Sequence, residues 1–156
     1  MEVSHPRSRR YNRPMSETTD PFTLIPHAAA IGMQLVARES HRCIVRVPYA
    51  EHLVGDPDTG VIHGGVITAV LDNASGIAVR GEQDNEAVGG MATLDLRIDY
   101  MRPAEPRVDL YTEAECYRIT ANIAFVRAWA YERDKDDPVA TSVATFMLGT
   151  ASGPRA

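Results

Sequence analysis

The sequence predicts an α+β fold in which an antiparallel sheet of about six strands wraps around one long central helix. Residues 63–80 carry apolar side chains around most of a helical circumference, which is typical of a helix buried on nearly all sides. From residue 93 onwards, apolar and polar residues alternate with the period of half-buried strands. With 156 residues, 44% of them hydrophobic, the chain can build one core and is too short for two domains of ordinary size.

Before the long helix, the pattern predicts a short helix and a strand pair. Residues 27–33 favour one or two helical turns that end near Gly32, because glycine readily adopts the left-handed conformation that closes a helix. Residues 33–38 and 42–49 contain many β-branched side chains and predict an antiparallel pair around a turn. A loop rich in glycine, aspartate and proline then leads to the long helix.

After the long helix, the sequence predicts four more strands. In the first of them, Leu94, Leu96, Ile98 and Tyr100 alternate with polar residues, so one face is expected to be buried and the other exposed. The other three strands show the same alternation and are separated by turn residues: 108–119, 123–133 and 139–149.

The ends of the chain are predicted to be disordered. Residues 1–20 are rich in arginine with almost nothing to bury, which predicts an N-terminal tail. The folded domain is expected over 21–151, followed by a short disordered end at 152–156.

Charge and cysteine content restrict the function and the compartment. The net charge of −5 argues against sequence-independent binding to nucleic acid or to an anionic membrane. No run of 18 apolar residues is present to span a membrane, and the N-terminus lacks the apolar segment of a signal peptide. Cys43 and Cys116 form neither a CxxC pair nor a Cys/His cluster, so no disulfide framework or metal site is expected. A cytoplasmic location is the natural expectation.

Two features of the long helix point to chemistry. Gly64 and Gly65 place unobstructed backbone N–H groups at the positive end of the helix dipole, where they can bind a carbonyl oxygen or an oxyanion. Asp72 is a carboxylate in the middle of a nearly buried helix, with no basic residue three or four positions away. The small or polar residues that share its face of the helix are Thr68, Ser75 and Gly76. Each feature also has a purely structural alternative: a tight turn for the glycines, and hydrogen bonds to neighbouring hydroxyls for the acid.

The glycines and the acid cannot act on the same atom within one chain. Eight residues of helix separate Gly64 from Asp72, a rise of about 12 Å, whereas a base and an oxyanion donor each lie about 3 Å from the reacting group. A two-fold dimer in which Gly64 of one copy faces Asp72 of the other is the simplest way to bring them together. The spacing therefore predicts a shared active site.

These motifs resemble those of the hotdog-fold acyl-CoA thioesterases of the phenylacetate-pathway (PaaI-like) family. The resemblance covers roughly residues 22–149 and rests on His-Gly-Gly at 63–65, an acid nine residues after His63, and a strand that ends in Asp-Tyr-Met-Arg-Pro-Ala at 99–104. It implies the hotdog fold, a homodimer that often assembles into a homotetramer, and hydrolysis of an acyl-CoA thioester at the dimer interface. It implies no separate cofactor, because CoA is part of the substrate.

The resemblance also implies roles for single residues. Asp72 corresponds to the catalytic acid, the backbone amide of Gly64 to the group that polarises the carbonyl, and Thr93 to the hydroxyl that helps to place the water. Many relatives have an asparagine in the loop before His-Gly-Gly, where the nearest match here is Asp56, a residue that cannot donate the same hydrogen bond when ionised. His63 either acts as a general base or holds the loop and lines the pocket.

The phosphates of CoA require local cations in an acidic protein. Arg102 is the first candidate because of its Arg-Pro-Ala context, and Arg97 and Arg127 are weaker ones. Each of them is also compatible with an ordinary solvated strand position.

Two other functions remain open at this point. A hotdog hydratase typically carries Asp-x-Asn-Pro-x-His; Asp58 and His63 have its outer spacing, but the residues between them are Thr-Gly-Val-Ile. A non-catalytic acyl-CoA-binding protein is the second alternative, against which the presence of Asp72 argues.

Overall fold

The computed structural model of the chain describes residues 20–81 and 90–150. Apart from Asp20, the two predicted disordered ends lie outside these residues. The elements, in chain order, are α1 (Pro26–Ile31), β1 (Gln34–Glu39), β2 (Arg42–Val47), β3 (Val54–Asp56), β4 (Val61–Ile62), α2 (Gly64–Arg80), β5 (Gly90–Tyr100), β6 (Leu110–Ile119), β7 (Ile123–Tyr131) and β8 (Ala140–Thr150).

Six of the strands form one antiparallel sheet in the order β1-β2-β6-β7-β8-β5. The helix α2 packs against one face of this sheet, with most of its contacts on the central strands. This arrangement confirms the predicted α+β fold with one long helix against six strands. The loop before α2 is more regular than predicted, because β3 and β4 pair there as a separate two-stranded sheet.

The core lies between α2 and the sheet. Val70, Leu71 and Ala74 are fully covered, as expected from the apolar circumference of the helix. The Cys43 thiol of β2 donates a hydrogen bond to the Ala74 carbonyl oxygen at 3.2 Å. Burial raises the pKa of this thiol to about 12, so it stays protonated and serves as a donor inside the core.

The strand β5 departs from the predicted alternation at Leu94. In the pairing with β8, Leu94 is an extra residue between Thr93 and Asp95, which is a β-bulge. The bulge reverses the phase of the side chains, so that Thr93 and Tyr100 both contact α2, although strict alternation places them on opposite faces. Because β5 is an edge strand, the apolar face predicted for it is only partly covered in a single chain: Leu96 and Ile98 are partly buried, whereas Leu94 and Tyr100 are half exposed.

Arg102 fixes the segment that follows β5. Its guanidinium donates to the Glu132 carboxylate at 2.7 Å and to the Asp137 carbonyl oxygen at 2.8 Å. The Glu132 side chain is only 2% exposed and also accepts the Glu105 backbone N–H at 2.7 Å. These contacts join the end of β5 to the connection between β7 and β8.

Replacing Glu132 by alanine is expected to lower the free energy of unfolding by about 3 kcal/mol, because it leaves Arg102 without its buried counter-charge. Urea denaturation measures this loss. Glu105→Ala is the matched control: it removes an acid from an exposed ion pair with Arg133, keeps the backbone N–H, and is expected to cost less than about 1 kcal/mol. Equal losses in both variants would contradict a structural role for the Arg102–Glu132 pair.

Candidate active site

The start of α2 presents a free backbone donor. His63 is the N-cap residue, and its Nδ1 atom accepts the Gly65 N–H at 2.8 Å. The Gly64 N–H, the first amide of the helix, donates to no group among the described residues. Of the two amides predicted to act as donors, the Gly65 N–H is therefore occupied and the Gly64 N–H is available to a ligand. The same hydrogen bond engages the Nδ1 atom of His63 in holding the loop.

Tyr100 is a site residue that the sequence analysis did not identify. Its hydroxyl donates to the Gly64 carbonyl oxygen at 2.8 Å and lies 2.7 Å from the Thr68 hydroxyl. The peptide between Gly64 and Gly65 is thus held at both ends, its N–H by His63 and its C=O by Tyr100. Tyr100 is recognisable in the sequence as the aromatic residue before Met-Arg-Pro. Strict alternation, however, places Tyr100 and Thr93 on opposite faces of the strand, so it does not predict that both lie beside α2.

The structure brings Asp72 and Thr93 together. The Thr93 hydroxyl donates to the Asp72 carboxylate at 3.0 Å. Asp72 is half-buried, and among the described residues no basic side chain pairs with it. One carboxylate oxygen is therefore held in place by Thr93, while the other is left for a water molecule or a substrate.

The two halves of the candidate site lie far apart in one chain. The helix α2 runs without interruption from Gly64 to Arg80, so the predicted separation of about 12 Å between Gly64 and Asp72 holds in the structure. No single bound carbonyl group can contact both.

A pocket of about 330 Å³ opens beside the start of α2. Gly64 and Tyr100 belong to its wall, and the remaining lining is mainly apolar: Val61, Ile62, Ile67, Met101, Pro103, Ala104 and Val139. An apolar group can therefore be accommodated next to the free amide.

Two predicted binding residues are occupied by local contacts. Arg102 reaches the pocket wall, but Glu132 and Asp137 hold its guanidinium. The Asp56 carboxylate accepts the Asp58 N–H at 3.0 Å and the Thr59 hydroxyl at 2.9 Å, so it shapes the loop before β4. These contacts favour a structural contribution from both residues.

Among residues 20–81 and 90–150, no group of three or more metal-binding side chains converges. Neither helix in this part of the chain is long and apolar enough to cross a membrane.

The chain matches the sequence profile of a known family. The sequence profile of the family described as "Thioesterase superfamily" matches residues 59–138, a range that includes Gly64, Asp72 and Thr93.

Two relatives of known name are similar in sequence. A putative esterase of Halobacterium salinarum is 36% identical over 80 residues, which is 51% of this chain and 52% of that protein, so the alignment spans about half of the relative. The medium/long-chain acyl-CoA thioesterase YigI of Escherichia coli is 26% identical over 136 residues, covering 80% of this chain and 86% of YigI.

A solved structure agrees with the fold. A protein of Pseudomonas aeruginosa is 40% identical, with a TM-score of 0.69 over 80% of this chain and 91% of that protein. This agreement confirms the hotdog arrangement of one long helix against a six-stranded sheet.

Proposed function

Since the chain belongs to the thioesterase superfamily, we propose that it hydrolyses acyl-CoA thioesters to a free acid and CoA, at a site shared by two copies of the chain. The observation that carries this proposal is the pair of complementary groups on α2: the free Gly64 amide at its start and the Asp72 carboxylate, held by Thr93, at its middle.

In the proposed reaction, the Gly64 N–H binds the thioester carbonyl oxygen and stabilises the negative charge that develops on it. Asp72 of the other copy takes a proton from a water molecule, whose oxygen attacks the carbonyl carbon. The tetrahedral intermediate collapses with cleavage of the C–S bond, and the CoA thiolate leaves and takes up a proton. In the alternative route, the Asp72 carboxylate attacks the carbon itself, and the C–S bond breaks with release of the CoA thiolate to give a mixed anhydride. Water then hydrolyses this anhydride to the free acid and regenerates the carboxylate.

Two surfaces of the single chain support a dimer. β5 is an edge strand of eleven residues, and no strand among the described residues pairs with its outer side. An edge of this length offers unpaired backbone groups to a second copy. On α2, the stripe formed by Val66, Ala69 and Asn73 is only partly covered. Both surfaces lie beside Asp72, so a second copy placed there would contribute to the site. Further pairing into a tetramer stays a prediction from the resemblance.

The pocket beside Gly64 supports an apolar acyl group as the substrate. Its lining contains one charged side chain, Arg102, which is neutralised by two acids. A charged acyl group would lose its hydration in this pocket without gaining an unpaired charged partner, and this desolvation costs free energy. The name of YigI, a medium/long-chain acyl-CoA thioesterase, points in the same direction.

The direct test is release of free thiol from a panel of acyl-CoA thioesters with aliphatic and aromatic acyl groups. We expect turnover, with apolar acyl groups preferred over carboxylated ones. Binding of acyl-CoA without thiol release would instead show a non-catalytic binding protein. Addition of water to an enoyl-CoA double bond would show a hydratase.

A further inference from the structure

The cations first expected to bind the phosphates of CoA are all engaged elsewhere. Arg102 pairs with Glu132 and Asp137, Arg97 with Asp99 at 2.9 Å, and Arg127 with Glu115 at 3.0 Å. In a chain with a net charge of −5, a phosphate-binding cation must come from another position.

Arg107 is a cation without an acid beside it. It is exposed, and among the residues that the structure describes it forms no ion pair. Its backbone has φ +61°, a left-handed conformation that costs a side-chain-bearing residue about 1 to 2 kcal/mol relative to the right-handed one. Glycine would adopt this backbone conformation without the cost in free energy. An arginine at this position therefore points to a function of its side chain.

A second hydrogen-bond donor converges on the same place. A Cβ atom built on Gly60 would lie 3.7 Å from the guanidinium carbon of Arg107 and 3.5 Å from the hydroxyl oxygen of Tyr49. Within the part of the chain that the structure describes, the Tyr49 hydroxyl is covered from solvent and has no hydrogen-bond partner. A buried hydroxyl without a partner is uncommon in native structures, so this one calls for an acceptor.

The Gly60 cluster, defined as Gly60, Tyr49 and Arg107, borders the pocket beside Gly64. Val61, the next residue after Gly60, lines the pocket, and so does Ala104, three residues before Arg107. The Cα atoms of Gly60 and Gly64 are at most about 14 Å apart, given the reach of four residues. A ligand whose anionic groups and reacting carbonyl are joined by a flexible arm could therefore contact both.

We propose that the Arg107 guanidinium binds a phosphate group of the CoA part of the substrate, and that the Tyr49 hydroxyl beside it donates to the same phosphate once the exposed arginine side chain turns toward the ligand and uncovers it. Guanidinium and hydroxyl groups donate charge-assisted hydrogen bonds to phosphate oxygens, and Arg107 supplies the positive charge that the site otherwise lacks. This inference rests on the proposed function, because it assigns the nucleotide end of the same substrate.

The test compares two thioesters with the same acyl group: one of CoA and one of pantetheine, which lacks the phosphates and the nucleotide. Arg107→Ala is expected to raise KM for the CoA thioester about tenfold, as for loss of one charge-assisted hydrogen bond, and to leave KM for the pantetheine thioester unchanged. Tyr49→Phe should raise KM in the same selective way by a smaller factor.

Two further variants distinguish the loss of the Arg107 cation from a loss of stability and from a change in the net charge of the protein. Arg107→Gly removes the same cation but suits the left-handed backbone, so it should raise KM for the CoA thioester while the Tm stays unchanged or rises. Arg118→Ala is the matched control: Arg118 also forms no ion pair among the described residues, but it lies eight residues along β6 from Leu110, about 26 Å from the Arg107 end of the strand. It should leave both KM values unchanged.

Calorimetric titration with adenosine 3′,5′-bisphosphate and with inorganic phosphate tests the site without catalysis. Weaker binding of the bisphosphate by Arg107→Ala supports the phosphate site even if no thioester is hydrolysed, in which case only the proposed function fails. Unchanged KM and binding in Arg107→Ala would overturn the inference. So would an equal rise in KM for both thioesters, or an equal effect of Arg118→Ala.

Discussion

Replacing Asp72 by asparagine is expected to reduce kcat for thioester hydrolysis about 10³-fold, within the range for loss of a general base. Asparagine has nearly the same shape and can still accept the Thr93 hydrogen bond through its carbonyl oxygen, so the fold should be preserved. What it loses is the ability to take a proton from water or to attack the carbonyl. The measurement is thiol release under substrate saturation, with circular dichroism to verify the fold.

Asp95→Asn is the matched control for this variant. Asp95 is an exposed carboxylate that follows the bulge in β5, two residues after Thr93, so the same chemical change is made close to Thr93 in the chain but not on α2. Its turnover should equal that of the wild type. Near-normal turnover in Asp72→Asn would remove Asp72 from the mechanism, whichever of the two routes is considered.

Gly64→Pro is expected to lower kcat about 10²- to 10³-fold, because it removes the one amide proposed to stabilise the oxyanion. The first position of a helix tolerates proline, since its N–H has no partner within the helix. His63 has φ −62° and ψ 134°, an extended conformation that suits a residue before proline. The variant therefore deletes a donor while leaving the helix in place.

Gly64→Ala separates the loss of the donor from the added bulk. A Cβ at this position would lie 3.6 Å from the Tyr100 hydroxyl, an ordinary van der Waals contact, and the N–H would be retained. This variant should keep most of the activity. Equal losses in Gly64→Ala and Gly64→Pro would indicate that space at the pocket wall matters rather than the amide.

The fold was predictable from the sequence because its main signals are periodic. The apolar circumference of residues 64–80 and the alternation after residue 93 required no knowledge of distant contacts. The family resemblance assigned Asp72 and Thr93 to one site, although they belong to segments far apart in sequence, and the hydrogen bond between them is seen only in the structure.

Features that depend on contacts between distant segments were not predictable. The bulge at Leu94 is visible only in the pairing with β8, and without it Thr93 and Tyr100 would lie on opposite faces of β5 rather than both beside α2. Whether an arginine is free depends on where the acids fold: Arg102 meets Glu132, thirty residues away, whereas Arg107 meets none among the described residues. The Arg-Pro-Ala context favoured Arg102, but it gave no information on which arginine would meet an acid in the fold.

The sharing of one site by two copies is tested most directly with purified heterodimers, prepared by co-expression of two differently tagged chains. A heterodimer of Asp72→Asn with Gly64→Pro should have about half the wild-type turnover, since one of its two sites combines an intact Gly64 with an intact Asp72. A heterodimer of the wild type with the double variant should be inactive, because each of its sites contains one defect. The opposite pattern, an inactive first heterodimer and a half-active second one, would show that each chain carries a complete site of its own.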